Sequence, residues 1–359
     1  AGSFGMAVST AMIFGLVSLM FLDTSINMAM QPFKMMVGDM VNEKQKGLAY
    51  SIQSFLCNAG SLVGFLFPFI FTWIGISNIA PQGVVPDSVI YSFYIGAAIL
   101  ILCVIYTTVK VKEMPPAEYA EYHGITEEEE KEKINMVKLL IKAPKAFWTV
   151  GLVQFFCWFA FMFMWTYTNG SVAANVFDAP TVETAVNGVS KVMLDTKSIQ
   201  YQDAADWVGV LFAVQAIGSV LWAVCIPLFK DRKLIYSLSL VLGGLGFIST
   251  YFVHNQYVLF ISFLLIGCAW AAMLALPFTI LTNALSGGHM GTYLGLFNGT
   301  ICIPQIVAAS LGGSILALFT PKGMLPPEIN MLVMAGVMLI IGAVCVYLIK
   351  ETKGEQTKA

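Results

Sequence analysis

The stretch from Ala7 to Met40, AVSTAMIFGLVSLMFLDTSINMAMQPFKMMVGDM, is almost wholly apolar but carries Asp23 near its middle. Such a run predicts a membrane-crossing helix, because about 20 apolar residues span the hydrocarbon core. On that helix Asp23, Asn27, Gln31 and Lys34 fall within about 80° of one another and form one polar stripe. A carboxylate at the bilayer centre costs roughly 2.5–3.5 kcal/mol. We therefore expect the stripe to face water or protein, and Asp23 to lie on a proton or substrate path unless it is a structural residue bonded to a neighbouring helix.

The composition indicates an all-α polytopic membrane protein. The chain is 58% hydrophobic and 11% charged, whereas about 25% of residues are charged in an ordinary soluble domain. All seven Cys lie in apolar runs, so we predict neither a disulfide framework nor a metal site. Nine spans are predicted, at 7–38, 47–75, 88–110, 146–169, 206–229, 234–253, 256–284, 291–319 and 328–350.

The distribution of basic residues predicts the orientation in the membrane. The loops after the first, third, fifth and seventh spans, the end of the first span and the tail together hold 16 of the 19 Lys and Arg residues. Positive charge marks the cytosolic side of a membrane protein. We therefore expect a cytosolic C-terminus in a cytoplasmic (inner) or plasma membrane.

An internal repeat suggests how the spans are organised. Pro32-Phe33 ends the first span and Gly47 opens the next, while Pro277-Phe278 ends the seventh span and Gly291 opens the eighth. If these hairpins are copies, the chain holds nine spans of a twelve-span protein made of two six-helix halves, and the first three spans would precede residue 1. The expected domains are 1–112, a charged cytosolic linker at 113–145, and 146–359.

Two motifs resemble a known family. Asp23, Pro32, Lys34 and Asp39 keep the spacing found in the fourth span of plant sucrose–proton symporters and their bacterial and animal relatives, with Lys in place of Arg. These belong to the sugar–cation symporter branch of the major facilitator superfamily. The eleventh-span pattern of the same branch is similar to six residues near the other end of the chain: Gly295, Asn298, Ile301, Pro304, Gln305 and Val307.

The resemblance implies a major facilitator fold and proton-coupled symport of a sugar, such as a disaccharide or glycoside, by alternating access. It implies no cofactor beyond the proton as coupling ion, and as partners only the lipid bilayer and the sugar, with a monomeric chain and no nucleic acid. A sodium-coupled symporter, a drug exporter and a non-transporting sugar sensor stay open as alternatives. An enzyme is not expected, because the interiors of the spans contain one acid, Asp23, and the spans contain no His.

Further candidates follow from residue type and spacing. Gln154, Trp158, Phe161 and Trp165 share one helix face, which suits either a sugar platform or helix packing. Lys34 could contact substrate or extend to the cytosolic headgroups. Proton coupling is assigned to Asp23; the other substrate candidates are Asn27, Gln31, Gln53, Asn58, Asn298 and Gln305, and the gating or structural candidates are Pro32, Asp39, Asp231, Arg232, Pro277 and Pro304.

Overall fold

A computed structural model of the chain describes residues 2–76, 87–112, 115, 118, 136–186, 189–285, 290–321 and 323–349. Its elements, in chain order, are α1 (Gly2–Met40), α2 (Glu43–Trp73), α3 (Asp87–Lys110), α4 (Met136–Ile141), α5 (Lys145–Asn175), β1 (Thr181–Val186), β2 (Val189–Leu194), α6 (Ile199–Cys225), α7 (Arg232–Ser249), α8 (Leu259–Ala284), α9 (Met290–Phe297), α10 (Gly299–Phe319) and α11 (Ile329–Cys345).

The helical, polytopic class predicted from the sequence is confirmed. Within the described ranges, eight helical segments are long and apolar enough to cross a membrane. The remaining predicted span, 47–75, coincides with helix α2, part of whose side chains lie outside the description. The span predicted at 291–319 is interrupted by a turn at Asn298, which separates α9 from α10.

Two strands follow α5 and were not expected. β1 and β2 pair antiparallel from Thr181 opposite Leu194 to Val186 opposite Val189. The backbone N–H of Asp195 donates to the Pro180 carbonyl at 2.8 Å and closes the base of this hairpin. Ser198 then caps helix α6, and its hydroxyl accepts from the Tyr201 N–H at 3.2 Å.

The core lies where α5, α6, α7, α8 and α11 pack together. Helices α6 and α8 cross closely, since a Cβ at Gly218 would lie 2.5 Å from the Leu264 carbonyl oxygen, and one at Gly267 would overlap the Gln215 carbonyl. Small residues at such a crossing permit backbone contact between helices. This crossing fixes the position of α8 within the core.

Helix α2 joins this core, whereas α1 and α3 lie at its edge. Tyr50 of α2 stacks on Phe278 of α8, with ring centroids 6.1 Å apart. No residue in the apolar segments Ile13–Met30 of α1 and Ile90–Lys110 of α3 is buried. Most of the predicted linker, 113–145, and the tail from 350 onward lie outside the described residues.

Candidate functional site

Three tryptophans from two helices form an aromatic cluster. Trp158 and Trp165 of α5 lie on the face that packs against Trp270 of α8, with ring centroids 5.7 Å from Trp270 in both cases. Phe161 lies 4.9 Å from Trp270 by the same measure and is fully buried. Trp165 is 44% exposed, so the cluster has a buried side at Phe161 and an open side at Trp165.

The indole N–H of Trp158 is buried and has no hydrogen-bond partner in the described part of the chain. Two other tryptophans behave differently: Trp207 donates to the Gln256 carbonyl at 3.2 Å, and Trp222 donates to the Ser239 hydroxyl at 2.8 Å. A buried indole N–H usually finds an acceptor. The Trp158 N–H is therefore an unused hydrogen-bond donor among the described residues.

Gln154, one turn before Trp158, forms a hydrogen bond to α8 at the point where a proline interrupts the backbone hydrogen bonds of that helix. Pro277 has no N–H, so the carbonyl of Met273, four residues earlier, lacks its helical partner. The Gln154 side-chain amide donates to this carbonyl at 3.0 Å. The NH₂ group of Gln154 thus has a structural role. The Oε1 of Gln154, in contrast, is buried without a partner among the described residues.

Two of the other amide candidates also present buried oxygens. Asn58 donates to the Ser54 carbonyl at 2.7 Å, and Asn298 contacts the Cys302 sulfur at 3.8 Å, yet neither Oδ1 has a partner in the ranges described. Ser54 in turn donates to the Ala271 carbonyl at 3.3 Å, next in sequence to Trp270. Gln53 and Gln305 are half-buried.

The polar stripe of α1 is only partly described. Asp23 is exposed, and the Asn27 side chain, half-buried, donates to the Asp23 backbone carbonyl at 2.9 Å. Pro32 lies inside the helix and is exposed. The side chains of Gln31, Lys34 and Asp39 fall outside the described ones, so their predicted roles stay predictions.

The remaining gating candidates have local structural roles. Asp231 caps α7 by accepting from the backbone N–H groups of Lys233 and Leu234 at 2.9 and 3.1 Å, and Arg232 is half-buried as the first residue of that helix. Pro304 is buried inside α10.

Trp270 is the main residue of the cluster that the site prediction missed. The sequence signal was present, because Trp270 lies seven residues before Pro277, or about two helical turns. The sequence of α8 alone does not indicate that the helix face carrying Trp270 packs against the face of α5 that carries Trp158.

Comparison with known proteins identifies the family. The profile described as Major Facilitator Superfamily matches residues 1–194 and 179–359. The chain belongs to this superfamily. The chain also resembles the crystal structure of a variant of the E. coli fucose–proton symporter, with a TM-score of 0.52, 15% sequence identity, and coverage of 87% of this chain and 71% of that one. A search of curated proteins gives no match.

Membership of the major facilitator superfamily places the chain among integral membrane transporters rather than enzymes. At 15% identity, the likeness to the fucose–proton symporter supports the shared fold. Superfamily members bind substrate near the bilayer midplane, between their two repeats. The tryptophan cluster lies on α5 and α8, two helices with long apolar segments.

Proposed function

We propose that this protein is a proton-coupled sugar symporter that works by alternating access, with the tryptophan cluster as part of the sugar site and Asp23 as the proton-coupling residue. Within this proposal the substrate is a disaccharide or another glycoside, as in the sucrose-symporter branch that the motifs of α1, α9 and α10 resemble. The similarity to a structure titled as a fucose–proton symporter is compatible with sugar transport by this chain.

The observation that carries the proposal concerns buried polar atoms. Six buried side-chain polar atoms lack a partner in the described part of the molecule. Four of them belong to residues chosen from the sequence as substrate candidates: Asn58, Gln154, Trp158 and Asn298. Unpartnered buried polar groups are costly and call for an explanation. Three acceptors and one indole donor match the alternating donors and acceptors of sugar hydroxyls.

The aromatic rings supply the second part of a sugar site. Sugar rings have flat C–H faces, and binding pockets combine apolar or aromatic walls with a few polar groups. The open side of the cluster at Trp165 offers a ring surface, and Trp158 adds its N–H at the buried side. A pocket for a drug-sized apolar ligand also carries a few polar groups, but four unpartnered polar atoms beside the rings suit the many hydroxyls of a sugar better.

The proposal is tested by uptake of radiolabelled sugars into cells that express the full-length protein. The panel contains disaccharides, hexoses and deoxyhexoses, and uptake is measured with and without a pH gradient and with sodium replaced by potassium. In Trp158→Phe, the aromatic ring remains and the N–H is lost. The half-saturating concentration of the transported sugar should rise about five- to tenfold, as expected for one lost hydrogen bond.

The matched control is Trp148→Phe, at an exposed tryptophan in the first turn of α5. This variant should transport as wild type does. Absence of uptake for every sugar in the panel, or equal effects of the two substitutions, would refute the proposed site. Uptake that follows sodium instead of the pH gradient would refute proton coupling while leaving the sugar site in place.

A further inference from the structure

The carboxyl group of Glu328 lies directly against the backbone of Gly170. Glu328 follows Pro326-Pro327 and immediately precedes α11, and Gly170 lies in the last two turns of α5. The carboxyl occupies the space that a Cβ at Gly170 would need, with Oε1 only 2.8 Å from that position. A side chain at Gly170 would therefore displace Glu328, and the glycine forms a seat for the acid.

No lysine or arginine within the described residues pairs with this carboxyl group. The titratable neighbour is Tyr167, one turn before Gly170 on the same face of α5. A Cβ at Gly312 of α10 would lie 2.6 Å from the Tyr167 hydroxyl, so the ring is held between α10 and Glu328. The turn after α7 brings Thr250 near Ile329, while its titratable residues Tyr251 and His254 are exposed.

A small cleft lies beside the seat. Ser171, Asn175, Thr250 and Ile329 line this cleft between the ends of α5, α8 and α11. Glu328 itself is half-buried. Because Glu328 is partly exposed, a proton can reach its carboxyl group from the surface.

Burial raises the pKa of Glu328 from 4.5 to about 7. The cause is desolvation, which penalises the charged carboxylate. The group therefore changes its charge near neutral pH.

We propose that Glu328 on its Gly170 seat is a proton-binding site that holds the start of α11 against the end of α5 when it is protonated. A neutral carboxyl packs on the glycine backbone at little cost. A carboxylate in the same place has no cationic partner in the described part of the chain, so it gains by moving toward water. Loss of the proton thus releases the first turn of α11 from α5. The site is separate from the tryptophan cluster and does not depend on which substrate is carried.

Hydrogen exchange tests the proposal in the purified full-length protein. Amide exchange of a peptide covering residues 328–335 is measured by mass spectrometry at pH 6 and pH 8, for wild type and Glu328→Gln. Glutamine is neutral at both values, so the comparison at each pH cancels the intrinsic pH dependence of exchange. Because the pKa falls from about 7 to about 4.5 when the carboxyl group is released, wild type should exchange faster than Glu328→Gln at both pH values, and the ratio of the two rates should be about tenfold larger at pH 8 than at pH 6.

A second variant keeps the test decisive if Glu328→Gln fails to fold. Gly170→Ala fills the seat, so this peptide should exchange faster than the wild-type peptide when both are measured at pH 6. Asp203→Asn, an exposed carboxylate at the start of α6, is the matched control and should behave as wild type. Equal exchange of wild type and Glu328→Gln at pH 8, or slow exchange in Gly170→Ala, would overturn the proposal.

Discussion

At the scale of single residues, Asp23 and the buried amides pose different energetic problems. An unpartnered buried oxygen, such as that of Asn58, costs about 1–3 kcal/mol. A charged Asp23 in a membrane-crossing segment costs a similar amount, and its side chain is exposed on α1. In a transporter, substrate binding can supply the missing hydrogen bond to the buried oxygen. Protonation can remove the charge of Asp23.

Replacing Asp23 by Asn tests its proposed role in coupling. Asparagine keeps the size of the side chain but cannot exchange a proton. The variant should lose uphill sugar uptake and keep exchange of sugar between equal concentrations. The loss should be large, because one proton moving down about 100 mV supplies roughly 2.3 kcal/mol, or a sugar gradient of nearly fiftyfold.

The measurement is sugar accumulation together with the accompanying pH change in membrane vesicles. Asp203→Asn serves as the control, and it should accumulate sugar normally. If Asp23→Asn still concentrates sugar and still alkalinises the outside, another acid carries the proton. A variant that only loses expression, with its pH dependence intact, would show a structural aspartate.

Some of the candidate residues could be read from the sequence, and others could not. Trp158 and Trp165 share a face because of their spacing on one helix, which periodicity alone predicts. Each of them contacts Trp270, which lies more than a hundred positions later in the sequence. Such pairings depend on how helices pack, and a single sequence does not specify them.

At the scale of helices and strands, the hydrogen bond from Gln154 to the Met273 carbonyl replaces the backbone hydrogen bond that Pro277 cannot donate. Gln154→Leu should destabilise the protein by about 1–3 kcal/mol, because it leaves the Met273 carbonyl buried without a donor. Pro277→Ala supplies a backbone N–H for that carbonyl. The double variant should therefore be more stable than the sum of the two single effects predicts.

Thermal unfolding in detergent measures the effect of each substitution. Gln202→Leu, which removes an exposed amide near the start of α6, is the control and should leave the midpoint unchanged. Additive effects of Gln154→Leu and Pro277→Ala would show that the two residues act independently.

The hairpin of β1 and β2 was missed although its sequence signal is clear. Asn187-Gly188 separates two segments rich in Val and Thr, and this dipeptide is typical of two-residue hairpin loops. A search for long apolar runs passes over such a segment, because it is short and lies between two spans. The helix bounds, by contrast, lie within seven residues of the predicted spans, except that the span 291–319 is broken at Asn298.

At the scale of the whole molecule, Glu328 should make stability depend on pH. The pKa of Glu328 is about 7 in the folded protein and 4.5 ordinarily. The folded state therefore keeps a proton that the unfolded state releases, and stability falls as pH rises from about 4.5 to 7. The total contribution is at most about 3 kcal/mol, since one pKa unit corresponds to 1.36 kcal/mol.

The unfolding midpoint of the wild type should thus decline across this range more steeply than that of Glu328→Gln. The two midpoints should converge near pH 4.5, and the variant should be the more stable protein at pH 8. Parallel curves for wild type and variant would show that folding does not alter the pKa of Glu328.

The contact between Gln154 and the carbonyl left free by Pro277 also has a consequence for evolution. A lineage that loses the proline restores the helical bond, so selection to keep the glutamine donor weakens. A lineage that loses the glutamine first carries an unbonded carbonyl until the proline also changes. Substitutions at the two positions should therefore occur together among homologous sequences, with loss of the proline preceding loss of the glutamine.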